Sequence, residues 1–301
     1  MISPIPFVKS FEFEYGKPAQ LSPLIRRVVA DNPGPFTYTG TGVYIIGTDE
    51  VAVIDPGPVT GNHPAALDAA LEGCTVTHVL VTHHHADHSP LAKPLAEKHG
   101  CKVYGYGLQI REPEGGEVRL EAGDDLTFKP DIEIRDGDII EGKDWTVRAL
   151  HTPGHTSNHM CYALEEENTL FSGDHIMGWS TTVISPPDGD MGDYFNSLDH
   201  IKAQSFDKIW PTHGPCIEDP APFVQAYIDH RRHREQQILD KVSEGLETIG
   251  AIVEALYTHV DKRLHPAAAH SVLAHIIHLV DTGRLVSNST PGLRSTYKIA
   301  A

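Results

Sequence analysis

The chain has no run of about 18 apolar residues, so nothing in it reads as a membrane span. Aromatic residues are few, 7% within a hydrophobic fraction of 40%, which fits a globular protein in water rather than a lipid-facing one. Cysteine is scarce. Cys74, Cys101, Cys161 and Cys216 are widely spaced and form no C-x-x-C pair, which excludes a disulfide framework and a zinc finger. The first residues, Met1 to Phe7, show neither a basic nor a long apolar segment, so no secretory signal is expected. With reduced thiols, this predicts a cytoplasmic location. Cations are also short: 24 Lys/Arg against 41 Asp/Glu, a net charge of -17. From residue 221 onward the count is nine Lys/Arg against eight Asp/Glu, so the first 220 residues carry essentially all the negative charge. That excludes a broad nucleic-acid surface, which needs clustered cations, but not a local basic groove or a metal site handling one phosphate.

What the chain has in excess is histidine, 20 in 301 residues. Val76 to Val81 is an apolar, β-branched run that reads as a short buried strand. It ends in His83-x-His85-x-Asp87-His88, four side chains of the kind that bind a divalent cation. Ser89-Pro90 reads as the cap and first position of a following helix that runs through Lys98. Bulky polar groups packed at a strand end serve no apolar core.

The same arrangement recurs along the chain. Trp145 to Leu150 delivers His151-Thr152-Pro153-Gly154-His155. Thr169 to Ser172 delivers Gly173-Asp174-His175, and Lys208 to Pro211 delivers Thr212-His213-Gly214. Earlier, strands Val43–Ile46 and Glu50–Ile54 form an expected hairpin, and Asp55 closes the second. Gly40-x-Gly42 leads into a strand, not a helix, which rules out a dinucleotide fingerprint. His63 to Leu71 has helical periodicity, and Cys101 to Tyr104 is a further strand. This alternation predicts an α/β architecture with loops at one sheet edge building a site. Residues 107–131 read as an acidic, loop-rich edge of the pocket. Residues 178–191, rich in Pro and Gly, read as a loop beside the site, with Thr181 and Thr182 as substrate contacts or turn caps. Tyr194 to Lys202 reads as an amphipathic helix.

These ordered motifs resemble those of the metallo-β-lactamase superfamily over residues 36 to 216. The resemblance implies an αββα sandwich with a two-metal site at one edge. It places one ion on His83, His85 and His155, a second on Asp87, His88 and His213, and Asp174 between them. Asp55 resembles the acidic residue of the first motif. Two zinc ions are implied, with manganese or iron fitting the same ligands. Such a pair lowers the pKa of a shared water, and the bridging hydroxide attacks a carbonyl or phosphorus, with Asp87 also able to accept a proton. His85 stands where the oxygen-reducing di-iron branch has Glu, which implies hydrolysis. The bridging Asp174 resembles glyoxalase II-like thioesterases and the superfamily nucleases, leaving β-lactam hydrolysis as a side activity. About forty residues between Asp174 and His213 leave no room for the large domain inserted in some RNA-processing members.

The remaining histidines read differently. His78 and His84 alternate away from the ligands and read as structural or exposed, and His151 as a packing or hydrogen-bonding residue. His159 and His175 flank ligand segments and read as groups that orient them. His270, His275 and His278 share one helix without a clean i, i+4 pair and read as exposed or core-edge.

From Pro220 the pattern changes: a long helix from Phe223 to Leu246 with a basic patch at 230–234, helices at 248–259 and 266–282, then a hairpin. That is a winged-helix order, dividing the chain into a catalytic domain, 1–219, and a winged-helix-like domain, 220–301. Its near-neutral charge speaks against DNA binding and for a module that completes the pocket. The layout, with Tyr227-Ile228-x-His230-Arg231, resembles the β-lactamase-like protein 2 endoribonucleases and the thioesterases that release polyketides from carrier proteins. The expected activity is binuclear zinc hydrolysis of an ester, thioester or lactone. Cleavage of single-stranded RNA is the alternative, and a non-enzymatic winged-helix regulator a third reading. The partner is thus a small carbonyl substrate or single-stranded RNA, with no membrane.

Overall fold

A computed structural model describes residues 4–108, 123–259 and 261–300. The first sheet starts with β1 (Ala19–Gln20), β2 (Ile25–Val29), β3 (Gly42–Ile46) and β4 (Glu50–Ile54), consecutive antiparallel neighbours. Helix α1 (His63–Ala70) crosses to β5 (Thr75–Leu80), which lies parallel to β4. Helix α2 (Ala92–His99) then crosses to β6 (Lys102–Gly105), and β7 (Ile132–Glu133) ends the seven-stranded sheet. The second sheet holds β8 (Ile139–Glu141), β9 (Thr146–His151), β10 (Met160–Leu164) and β11 (Thr169–Gly173). After α3 (Met191–Gln204), β12 (Lys208–Pro211) joins it parallel to β11. Then follow α4 (Pro220–Ser243), α5 (Ile249–Leu256), α6 (His265–Asp281) and the hairpin β13 (Leu285–Ser287) with β14 (Tyr297–Ile299).

Alternation along the strands decides the layers. In β3, Tyr44 and Ile46 face the second sheet, where they pack with Trp145, Tyr162 and Phe171. Val43 and Ile45 face the other way and pack under α1 and α2 with Leu67, Leu95 and Val103. In β10, Met160, Tyr162 and Leu164 face the first sheet, while Cys161 and Ala163 pack against α3 and α4. Both faces of each central strand are covered, so these strands are apolar throughout. The result is the expected αββα sandwich. Two hydroxyls pin the sheets together at the site's edge: Tyr44 donates to the Pro211 carbonyl (2.6 Å) and Tyr162 to that of Val81 (2.7 Å).

The C-terminal elements form the expected winged helix around Ile238, Ile252, Val272, Leu279 and Tyr297. Helix α4 serves two cores. Phe223 to Ile228 pack with α3 and the second sheet, and Ile238 and Val242 with the winged helix. Among the described residues no helix is long and apolar enough to cross a membrane.

Three sequence expectations need correction or limits. Helix α2 starts at Ala92, not Pro90, because the chain first turns to seat His88. The Ser89 hydroxyl donates to Asp125 (2.8 Å) instead of capping. His275 is fully buried rather than at an edge, because α6 turns that face into the winged-helix core. Of the expected acidic loop, residues 109–122 lie outside the described residues.

Candidate metal centre

Each chemically active side chain stands just beyond a strand end, where the ladder stops and the backbone is free to turn. The stretch after β5 brings His83, His85, Asp87 and His88. The loop after β9 brings His155, and the ends of β11 and β12 bring Asp174 and His213. Two glycines let the backbone pass. Gly154 has φ +139°, and a Cβ there would stand 2.5 Å from the Tyr194 Cα. Gly173 has φ +52° and would meet the His159 ring at 2.6 Å.

The structure brings all seven together in two overlapping groups. His83 Nε2 and His155 Nε2 converge on His85 Nδ1, at 2.9 and 3.2 Å. His213 Nε2 lies 3.1 Å from Asp87 Oδ2, and His88 Nε2 lies 3.5 Å from the same oxygen. Asp174 stands between the groups. Its Oδ1 is 3.4 Å from His213 Nε2, and its Oδ2 is 3.7 Å from His88 Nε2 and 3.8 Å from His155 Nε2.

The far side of three rings is held. His88 Nδ1 meets Asp55 Oδ2 at 2.8 Å, His155 Nδ1 the Val183 carbonyl at 2.7 Å, and His213 Nδ1 the Gly40 carbonyl at 3.1 Å. Those contacts fix a proton on Nδ1 and turn Nε2 toward the shared space, where it can ligate a cation. Asp55 is fully buried and also accepts from the Thr82 amide (2.8 Å), the Thr82 hydroxyl (2.7 Å) and the Thr212 hydroxyl (3.2 Å). His159 accepts the Asp174 amide proton at its Nε2 (3.2 Å), and its Nδ1 meets the Thr152 hydroxyl (2.9 Å).

Charge in the cluster is strongly coupled. Burial alone would lower the His213 pKa, but the Asp174 and Asp87 carboxylates carry it up to about 10. His88 is raised in the same way, against burial, by Asp87, Asp174 and Asp55. His83 is pushed the other way, by burial and by the neighbouring imidazoles. Burial opposes ionisation of Asp87 and Asp174, yet the facing His88 and His213 hold both well below the usual carboxylate range.

These residues fit bound metal ions. The Nε2 atoms of His88 and His213 and the Oδ1 of Asp174 are buried without a hydrogen bond. Polar atoms in that condition are expensive unless a ligand satisfies them. Three sets could hold an ion: His83, His85 and His155; His83, His88 and Asp174; and Asp87, His88 and His213. In each, the ligand atoms lie within 4.8 Å of one another. Imidazole nitrogen and carboxylate oxygen are the donors zinc prefers.

A pocket of about 110 Å³ opens on this cluster, walled by Phe36, Met177, Trp179, Thr181 and Val183 with Asp87, His155 and Asp174 at its floor. Thr181 lines it. Thr182 does not. It is buried, and its hydroxyl donates to the Asp174 and His175 carbonyls (both 2.9 Å), the turn-capping role. His84 is buried and bonded to Asn158 (2.9 Å), and His151 meets the Ser157 carbonyl (3.1 Å) while stacking on Tyr106. Sequence reasoning missed Asp124, whose Oδ1 lies 3.4 Å from His84 and 3.6 Å from His85. It also missed Arg231, which donates to the Thr182 carbonyl from α4.

Residues 38–213 match the family described as Metallo-beta-lactamase superfamily, and residues 248–292 that described as Beta-lactamase associated winged helix domain. A Beta-lactamase-like protein 2 homolog of Drosophila melanogaster is 33% identical over 279 residues, 88% of this chain and 91% of the relative. An Atrochrysone carboxyl ACP thioesterase of Aspergillus chevalieri is 30% identical over 270 residues, 86% of this chain and 81% of the relative. A Beta-lactamase domain protein from Burkholderia ambifaria has a similar structure, with a TM-score of 0.78 at 21% identity. The match covers 95% of this chain and 94% of that one, a likeness of fold. With the ordered ligand motifs on these strand ends, the chain belongs to the metallo-beta-lactamase superfamily and carries that family's associated winged-helix domain.

Proposed function

We propose that this protein is a binuclear metal hydrolase acting on a thioester, with esters and lactones open to the same chemistry. One observation carries the reading. Donor atoms from four separate strand ends converge at the floor of one pocket, held from behind by Asp55, Gly40 and Val183. We assign one ion to His83, His85 and His155, a second to Asp87, His88 and His213, and Asp174 as the bridge. Zinc suits the donors, and manganese or iron is compatible with them. Two divalent cations held there would supply an activated water at neutral pH and stabilise the oxygens that gain charge.

The chain's own residues do the rest. The Asp87 carboxylate lines the pocket and takes the proton released by the attacking water. Phe36, Met177, Trp179 and Val183 pack against an acyl group and exclude bulk water. The thioester leads because a relative named as a carrier-protein thioesterase matches over most of this chain. The net charge of -17 disfavours long polyanions.

Metal analysis and a turnover panel test the proposal. The panel holds an acyl thioester, a lactone, a β-lactam and single-stranded RNA, each also assayed with Asp87→Ala. Two metals per chain and thioester hydrolysis that the variant loses are expected. RNA cleavage lost in the variant, with idle carbonyl substrates, would replace the thioester by a phosphodiester. Protein prepared with zinc that retains none would sink the metal assignment.

A further inference from the structure

A second cleft, of about 540 Å³, runs between the 179–185 loop, the N-terminal segment around Phe7 and Lys9, and the C-terminal helices. It shares Phe36, Trp179, Ser180, Thr181 and Val183 with the metal pocket, so the two adjoin along the 179–183 loop. Apolar side chains, among them Tyr257 and Leu264, alternate with the cations Lys9, Arg231 and Arg234. No Asp or Glu is among the lining residues, in a chain with 41 acidic residues against 24 basic ones. Such segregation gives the groove a field opposite to that of the protein around it.

Arg231 is the stronger sign. Its guanidinium is buried, donates to the Thr182 carbonyl and lies 5.3 Å from the Tyr194 ring centre, while its Nε has no hydrogen-bond partner. Among the described residues no carboxylate pairs with it. A buried cation without a counter-charge is costly, and an anion bound elsewhere in the cleft offsets part of that cost through its field. Arg234, one turn further along α4, lies 4.6 Å from the Tyr257 ring centre and is likewise without a carboxylate partner among the described residues. The nearby His230 and His275 are lowered to about 4, by burial first and then by these arginines, so both are neutral at pH 7. The groove's positive charge is carried by Lys9, Arg231 and Arg234.

We infer that this groove binds the phosphate-bearing thiol arm of a thioester substrate, with the scissile carbonyl at the metal pocket and the phosphate at Arg234 and Lys9. The inference rests on the thioester reading above. A pantetheine arm ending in phosphate has the required pattern of a thin, mostly uncharged chain with one anion at its far end. It is supplied either by coenzyme A or by a carrier protein. Trp179, Phe36 and Tyr257 offer flat apolar walls for the chain, and Arg231 stands behind them as fixed positive charge.

The test compares kcat/KM for one acyl group on three thiols: pantetheine, 4'-phosphopantetheine and the same arm on a carrier protein. Wild type is expected to favour the phosphorylated arm by about tenfold or more, one charge-assisted contact's worth. Arg234→Gln and Lys9→Gln, both outside the packed core, are expected to shrink that preference toward unity. Faster turnover on the carrier protein than on free 4'-phosphopantetheine names the carrier as the source, and equal rates name the free arm. Equal rates with and without phosphate, or variants that keep the preference, overturn the inference but leave thioester hydrolysis standing. If no thioester turns over, calorimetry with coenzyme A decides separately. Binding weakened about tenfold by Arg234→Gln supports the groove. Absence of binding, or stronger binding of a single-stranded oligonucleotide, overturns it.

Discussion

Replacing Asp55 by Asn keeps the shape of a fully buried side chain and changes only its charge and donor pattern. The backbone is no confound, since its φ of +47° suits Asn as well as Asp. Oδ1 accepts the Thr82 amide, and Oδ2 accepts the Thr82 hydroxyl, the Thr212 hydroxyl and the His88 Nδ1 proton. A carboxylate accepts at both oxygens, whereas a carboxamide presents one oxygen and one NH2. If the NH2 faces the Thr82 amide, two donors meet without water, at a cost of about 1–3 kcal/mol. If it faces His88, the ring must move its proton from Nδ1 to Nε2, the atom that looks at Asp87 and Asp174. A protonated Nε2 binds no cation. Loss of a partner that orients a ligand weakens metal binding by about 10–100-fold, or about 1.4–2.8 kcal/mol. Zinc titration against a chromophoric chelator, beside urea unfolding of the metal-free protein, reads both effects. The expected result is weaker binding at one of two sites, with a less stable metal-free chain. Wild-type affinity at both sites in Asp55→Asn would refute the argument.

Three further perturbations follow from single contacts. Thr182→Val keeps the volume but deletes the hydroxyl on the Asp174 and His175 carbonyls, for a loss of about 1 kcal/mol and a lower kcat. An unchanged melting temperature and kcat would argue against that link. Gly154→Ala forces a Cβ to within 2.5 Å of the Tyr194 Cα at φ +139°. It should cost about 3 kcal/mol or more, and a wild-type urea midpoint would contradict the clash. Glu235 is buried, accepts from His278 (2.6 Å) and Arg284 (3.1 Å), and lies 3.7 Å from His275. Burial pushes its pKa up, but His275 and His278 bring it down from 4.5 to about 2, and the bond to Glu235 raises His278 above 6.5. The Glu235 contribution is complete above pH 4.5 and is lost as pH falls through about 2. The His278 contribution is complete below pH 6.5 and fades as pH rises through its raised value. The stability gap between wild type and Glu235→Gln should therefore peak between pH 4.5 and 6.5, and a gap flat from pH 3 to 9 would exclude the pair.

The sandwich was legible because its strands obey local rules. Tyr44 and Ile46 alternate with Val43 and Ile45, and each set has one layer to enter. The gathering of His and Asp at one edge was legible because such residues recur just past apolar strand ends, though Asp55 and His151 stand at such ends and bond elsewhere. The parts that hold the ligands were not. His213 is oriented by the carbonyl of Gly40 and His155 by that of Val183, and a carbonyl is common to every residue. Asp124 reaches His84 and His85 across a loop whose path no local pattern states. Ser89-Pro90 fits a helix start by local preference, yet the His88 carbonyl accepts from the Gly57 amide there, and the turn this requires delays α2 to Ala92. His275 sits on a helix whose buried face depends on where α4 lies.

The C-terminal helices are tied to the wall of the metal pocket. The 177–185 loop walls the pocket and has no ladder of its own to hold it. A segment so placed takes its order from what it touches. It touches α4 as well as His155 and Tyr38. The Tyr227 hydroxyl accepts the Met177 amide (3.2 Å) and sits 2.6 Å from the Met177 carbonyl, and Arg231 donates to the Thr182 carbonyl. The Thr182 hydroxyl then reaches the Asp174 carbonyl, so a chain of direct contacts runs from α4 to the residue between the two ligand groups. Since α4 also anchors the winged helix through Ile238 and Val242, anything that loosens that module loosens the pocket wall. Packed on α4, the winged helix is well placed to keep that helix, and through it the 177–185 loop, where they wall the pocket.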